Sequence, residues 1–128
     1  MPCRVMVIDD SEIDLLYARI VLERLDEPVE VLAFDSARDA LGALKAAAER
    51  PQLILLDLNM PGMSGFDFLA AYTQHAADGG ATVPVALLTS SPDPADRDRA
   101  LAHAVVHDYF VKPLDAGQVQ SLLQRLPA

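Results

Sequence analysis

Five short apolar runs punctuate the chain, at 3–8 (CRVMVI), 29–34 (VEVLAF), 52–56 (QLILL), 83–88 (VPVALL) and 107–111 (HDYFV), and each gives way to a segment with helical spacing. The pattern predicts strand then helix, five times over. In the first helix Ile13, Leu16, Tyr17, Ile20 and Val21 recur at i, i+3, i+4, i+7 and i+8, which predicts its inward stripe, with Asp10 or Ser11 as the cap. The second, 37–48, is alanine-rich with Leu41 and Leu44 inward, and the third, 65–76, offers Phe66, Leu69 and Ala70. The fourth, 94–103 (PADRDRALAH), starts well, with Asp93 as cap and Pro94 at the first helical position, but has little to anchor it beyond Leu101 and some alanines. The last helix carries the stripe Val119, Leu122, Leu123 and Leu126.

Strands that alternate with helices imply a parallel sheet closed by right-handed crossovers and covered on both faces. The unbroken apolar character of 53–56 and 85–88 agrees, because central parallel strands are buried on both sides and do not alternate. With 128 residues there is room for one core, so the reading is a single domain over 1–128 with nothing left for an output domain.

Composition narrows the function. A 52% hydrophobic content supports a real core, and a net charge of -9 works against binding the phosphate backbone of nucleic acid. The single cysteine, Cys3, cannot form an internal disulfide; among Val5, Val7 and Ile8 it reads as an apolar filler that suits a reducing cytoplasm. Asp9 and Asp10 interrupt the N-terminal apolar run at once and no run is long enough to span a bilayer, so neither secretion nor membrane insertion is expected.

In an all-parallel sheet every strand ends at the same edge, so residues just past the strand ends meet there however far apart they lie in sequence. Those residues are Asp9 and Asp10 after the first strand, Asp57 after the third, Thr89, Ser90 and Ser91 after the fourth, and Lys112-Pro113 after the fifth. Singly, each has a bland reading as a cap, a turn former or a solvated charge. Jointly they do not, because three carboxylates at one edge repel one another unless a cation offsets them. Mg²⁺ suits oxygen ligands of this kind: Asp10 and Asp57 are placed to bind it directly and Asp9 through water. The turn residues Pro61, Gly62 and Gly65 can bring the Asn59 carbonyl inward as a further ligand. A metal beside the Lys112 ammonium and the Thr89 hydroxyl forms a cradle for a tetrahedral anion, and Asp57, central in it, is the candidate phosphoryl acceptor.

The stretches VMVIDD, LILLDLNMPGMSG, ALLTSS and YFVKP, in that order at strand exits, resemble the receiver domain of two-component response regulators, of the single-domain chemotaxis-regulator type. The resemblance implies a flavodoxin-like, doubly wound sheet of order 2-1-3-4-5 with two helices on one face and three on the other. It implies that Asp57 accepts phosphate from a phosphohistidine of a sensor histidine kinase, with Asp9, Asp10 and the Asn59 carbonyl on Mg²⁺. Thr89 would swing to the phosphoryl group, Lys112 would pair with it, and Tyr109 would rotate inward with the change. Asn59 and Ser91 stand where the family tunes phosphoryl lifetime, and the Lys112-Pro113 bond would be cis. Output would pass through the face formed by the fourth helix, fifth strand and fifth helix to a partner protein or a histidine phosphotransfer protein, the domain acting as a monomer or a phosphorylation-dependent dimer and catalysing only its own phosphorylation and dephosphorylation. One departure is Ala104-Val105-Val106-His107, where many relatives carry Gly-Ala, so the preceding helix lacks its usual glycine stop.

Two rival readings share these residues. An Asp-nucleophile, Mg²⁺-dependent phosphatase wants a second Asp two places after the nucleophile as general acid, and that place holds Asn59. An interaction module that kept the fold and lost the switch would not need every site residue present. His75, His103 and His107 have no ligand spacing and read as structural or surface residues.

Overall fold

The computed structural model describes residues 3–46 and 50–126. Strands and helices alternate throughout: β1 (Cys3–Ile8), α1 (Glu12–Glu23), β2 (Val29–Phe34), α2 (Ala37–Lys45), β3 (Leu53–Leu56), α3 (Gly65–Ala77), β4 (Val85–Thr89), α4 (Pro94–Leu101), β5 (Val106–Val111) and α5 (Ala116–Arg125). The expected extension of the second helix to residue 48 lies partly outside the described residues. All strands are parallel, in the order β2-β1-β3-β4-β5.

Side chains alternate across each strand, and this divides the interior into two layers. Met6, Ile8, Ile54, Leu56, Val85 and Leu87 face one way and meet α2, α3 and α4 through residues such as Leu41, Phe68 and Ala100. Val5, Val7, Leu53, Leu55, Ala86 and Leu88 face the other and meet Ala18 and Leu22 of α1 and Val119 and Leu122 of α5. The helices therefore split three and two, and every residue of β3 and β4 is buried. Each helix starts on an oxygen cap: Ser11, Ser36, Ser64, Asp93 and Asp115 each accept a backbone N–H one turn into the helix.

The expected inward stripe of α1 is corrected by the structure. Ile13 is 80% exposed and Leu16 58%, with Tyr17 and Ile20 also exposed, while Ala18 and Leu22 are buried and Leu15 and Val21 partly so. The cause is that EIDLLYARIVLE is apolar on two sides, so periodicity finds two stripes and cannot say which one meets the sheet. In α3 the same happens on a smaller scale: Phe68, Leu69 and Tyr72 fill the core, Phe66 is only partly covered and Ala70 is exposed.

Among its own residues α4 buries only Ala100. Polar contacts hold the rest: Ser91 Oγ donates to Asp96 at 2.7 Å, Thr73 Oγ1 and His103 Nδ1 lie 2.9 Å apart, and the Arg99 guanidinium sits 3.9 Å above the Phe66 ring. The helix stops without glycine, through backbone bonds from His103 N–H to the Ala100 carbonyl and from Val106 N–H to that of His103. Because so little apolar area fixes α4, hydrogen-exchange measurements should find amides of 89–103 exchanging faster than those of 53–57. Equal protection of the two segments would contradict this.

Candidate functional site

Strand register assembles the site. Ile8 pairs with Leu56, so the next residues, Asp9 and Asp57, emerge side by side, tied by bonds from Asp9 N–H to the Phe34 carbonyl and from Asp57 N–H to that of Ile8. Thr89 pairs with Val111, and the N–H of Lys112 donates to the Thr89 carbonyl at 2.8 Å, which brings lysine and threonine to the same rim. The sequence-predicted residues are thus gathered at one edge. Beyond Asp57 the chain turns through Gly62, whose φ of 74° suits glycine, and re-enters α3 at Gly65. A Cβ on Gly65 would collide with the Asp57 carbonyl oxygen and lie 2.7 Å from Leu58 Cα, so glycine is required for α3 to start this close to the loop that follows β3. A Ser64–Asp67 capping box fixes that start.

Asp9 and Asp57 are buried and Asp10 is exposed, and each offers a carboxylate oxygen within 4.8 Å of the others'. Thr89 is fully buried, and its hydroxyl oxygen accepts the Ser91 N–H at 3.3 Å. The Asn59 N–H reaches Asp57 Oδ1 at 3.5 Å, a weak contact. Lys112 Nζ donates to Asp9 Oδ2 and Asp14 Oδ2, both at 2.7 Å, and stands 3.7 Å from Asp57 Oδ2. The Lys112-Pro113 bond is cis. Tyr109 is buried, and its hydroxyl donates to the Ser91 carbonyl at 2.7 Å.

Burial raises the Asp57 carboxyl above the usual carboxylate range, and the neighbouring charge of Asp9 adds to this against the pull of Lys112, Asn59 and Thr89. Burial also works to lower Lys112, but its hydrogen bonds to Asp14 and Asp9, with the charges of Asp57 and Asp9, outweigh that and leave it raised. The lysine is therefore charged in the neutral range. An acid whose folded pKa is raised destabilises the fold once pH climbs past its unfolded value. Without divalent cations, Asp57→Asn is accordingly expected to be more stable than the parent at pH 7, the gap closing as pH falls below the ordinary carboxyl value of about 4. Urea unfolding across that range checks this; a gap that widens in acid would contradict it.

Three carboxylates, two of them buried, are oxygen donors of the kind a hard divalent cation takes, and the residues present fit one. Asp14 is the site residue that sequence reasoning missed. It sits in the first turn of α1, where an acid is ordinarily read as complementing the helix dipole, and its contact to Lys112 spans 98 residues. One signal was present: Asp14, Ala18 and Leu22 fall at i, i+4 and i+8, on the face that meets the sheet.

Fold and site together define a doubly wound α/β domain with an acidic, lysine-backed pocket at the carboxyl edge of its sheet. The chain belongs to the response regulator receiver domain family of two-component systems, which residues 5–124 match. It is 32% identical over 121 residues to Sensor histidine kinase GacS of Pseudomonas protegens, covering 94% of this chain and 13% of that protein. A two-component response regulator from Cytophaga hutchinsonii superposes with a TM-score of 0.85 at 31% identity, covering 97% of this chain and 96% of that one. The Mn²⁺-bound form of response regulator Rcp1 gives 0.80 at 26% identity over 99% and 100% of the two chains. The chain spans between 13% and 55% of the length of the curated relatives it matches first. Among the described residues no helix is long and apolar enough to cross a membrane.

Proposed function

We propose that Asp57 is the phosphoryl acceptor of a cytoplasmic two-component pathway and takes its phosphoryl group from a phosphohistidine of a sensor histidine kinase. The observation that carries this is the pairing of a clustered Asp9, Asp10 and Asp57 with an ammonium 3.7 Å from Asp57. An Asp57 oxygen attacks phosphorus, the P–N bond breaks, and the imidazole nitrogen leaves with the electron pair. Asp9, Asp10, Asp57 and the Asn59 carbonyl would hold Mg²⁺, which would supply positive charge for the phosphoryl oxygens. Lys112 pairs with one of those oxygens, and the Thr89 hydroxyl donates to another.

The Tyr109 hydroxyl grips the carbonyl of Ser91, two residues past Thr89, so a shift of Thr89 toward a phosphoryl group pulls on the loop that leads into α4. That helix is lightly anchored, which supports the α4-β5-α5 face as the output surface toward a partner protein or a histidine phosphotransfer protein. The exposed apolar residues Ile13, Leu16, Tyr17 and Ile20 lie on the helix that begins at the pocket rim, which supports α1 as the seat of the phosphodonor protein. The likeness to part of a sensor histidine kinase favours the same kind of pathway.

Beryllofluoride with Mg²⁺, a stable stand-in for the phosphoryl group, tests this reading by NMR. Expected are shifts at Asp57, Thr89 and Tyr109 that extend along α4 and β5 and vanish in Asp57→Asn. Shifts that persist in the variant would remove Asp57 from the role.

A further inference from the structure

Lys112 has more anionic partners than its pairing with a phosphoryl group requires. Its ammonium has three protons; two are directed to Asp9 Oδ2 and Asp14 Oδ2 at 2.7 Å, the spacing of strong charge-assisted hydrogen bonds. Asp57 Oδ2, at 3.7 Å, is close enough for ionic attraction and too far for a hydrogen bond. That separation needs a cause, because Asp57 is only 5% exposed and a buried carboxylate draws a free ammonium into direct contact. Direct contact would blunt Asp57, since an oxygen donating its lone pair to an ammonium proton is a weaker nucleophile.

We propose that Asp14 is a positioning residue of the acceptor site: with Asp9 it holds the Lys112 ammonium at a stand-off from Asp57, leaving the nucleophile free and the ammonium in reach of the arriving phosphoryl group. The inference rests on Asp57 as the acceptor. Once the new O–P bond has formed and the donor's leaving group has departed with the electron pair, the phosphoryl oxygens lie beyond Asp57 Oδ, in the gap the ammonium faces. Asp9 cannot hold the lysine alone, because it belongs to the carboxylate cluster that would take the cation. Asp14 lies outside that cluster and keeps its carboxylate for Lys112 whether or not a cation is bound. Its side chain is 41% exposed, yet it is fixed by the first turn of α1, whose Ser11 cap accepts the Asp14 N–H. Asp14 also lines a groove of about 290 Å³ with Ile13, Tyr17, Lys112 and Pro113, so a protein seated on α1 would touch it. The test therefore uses acetyl phosphate, a donor too small to need that groove.

The parent protein, Asp14→Asn and Asp14→Glu are incubated with acetyl phosphate at saturating Mg²⁺, and the rate of Asp57 modification is followed by mass spectrometry. A lost pin displaces the ammonium by about an ångström, so Asp14→Asn is expected to slow modification on the order of tenfold, whereas Asp14→Glu, which keeps the charge, stays within about threefold. A second readout needs neither donor nor metal: the side-chain ¹⁵N resonance of Lys112 moves in Asp14→Asn and not in Asp14→Glu, at unchanged melting temperature. Parent-like modification by Asp14→Asn, equal slowing by both variants, or an unmoved Lys112 resonance would overturn the proposal. Should the parent itself resist modification at Asp57, the acceptor reading fails, and the Lys112 resonance alone decides whether Asp14 positions the lysine.

Discussion

Asp57→Asn is expected to fold normally and to lose phosphoryl acceptance by roughly 10³-fold or more, the scale seen when a nucleophile is removed and its surroundings are left intact. The amide matches the carboxylate in shape, so the hydrogen bonds that hold the loop, from Asp57 N–H to the Ile8 carbonyl and from Gly65 N–H to the Leu58 carbonyl, are kept. What disappears is the anionic oxygen. The other two carboxylates of the cluster are poorly placed to take over: Asp9 is hydrogen-bonded to Lys112 and to the Ser11 N–H, and Asp10 is exposed at the rim. The check is the rate of covalent modification by acetyl phosphate with Mg²⁺, parent against variant. Comparable rates would mean that the phosphoryl group resides elsewhere.

Gly65→Ala is expected to have the second-largest effect. The added methyl group meets backbone atoms, the carbonyl of Asp57 and Cα of Leu58, so no side-chain rotation relieves the clash. Either α3 moves out or the loop between Asp57 and Gly65 deforms. Overpacking of this kind costs about 1–3 kcal/mol, and a loss near 2 kcal/mol lowers the melting temperature by roughly 8 °C. Function is expected to suffer beyond the loss of stability, because a displacement of about 1 Å at a reacting group can cost on the order of 10²-fold in rate. Modification measured well below the melting temperature separates the two: a stable but slow variant fits, and a variant as stable and as fast as the parent contradicts the close approach. Gly62→Ala offers a comparison, since open space surrounds that glycine and only its positive φ is strained.

The pocket was legible in the sequence because parallel topology converts strand ends into neighbours. Asp9 meets Asp57 through the Ile8–Leu56 pairing, and Lys112 meets Thr89 through the pairing of Val111 with Thr89, so strand limits accurate to a residue or two sufficed. Helix orientation was not legible in the same way. Alternation along a strand sets its two faces outright, whereas α1 presents two apolar stripes, and only the packed structure decides between them. The stripe read as core, through Ile13, Leu16, Tyr17 and Ile20, is the outer one. The same ambiguity hid Asp14: with α1 turned as the periodicity suggested, Asp14 lies on the flank of the inward stripe, and with α1 as it packs, Asp14 heads the buried line of Ala18 and Leu22 and reaches Lys112. The stop of α4 was equally hidden, since consecutive backbone hydrogen bonds replace the absent glycine.

The central claim is that side chains gathered at the sheet's carboxyl edge make Asp57 a phosphoryl acceptor, and one chemical trap tests it most directly. After incubation with acetyl phosphate and Mg²⁺, borohydride reduces an acyl phosphate to the alcohol, so a phosphorylated aspartate becomes homoserine and is found by peptide sequencing. Conversion is expected at Asp57, dependent on Mg²⁺, with Asp9 and Asp10 unchanged. Conversion at another residue, or none at Asp57 under conditions where the folded protein binds the metal, would contradict it.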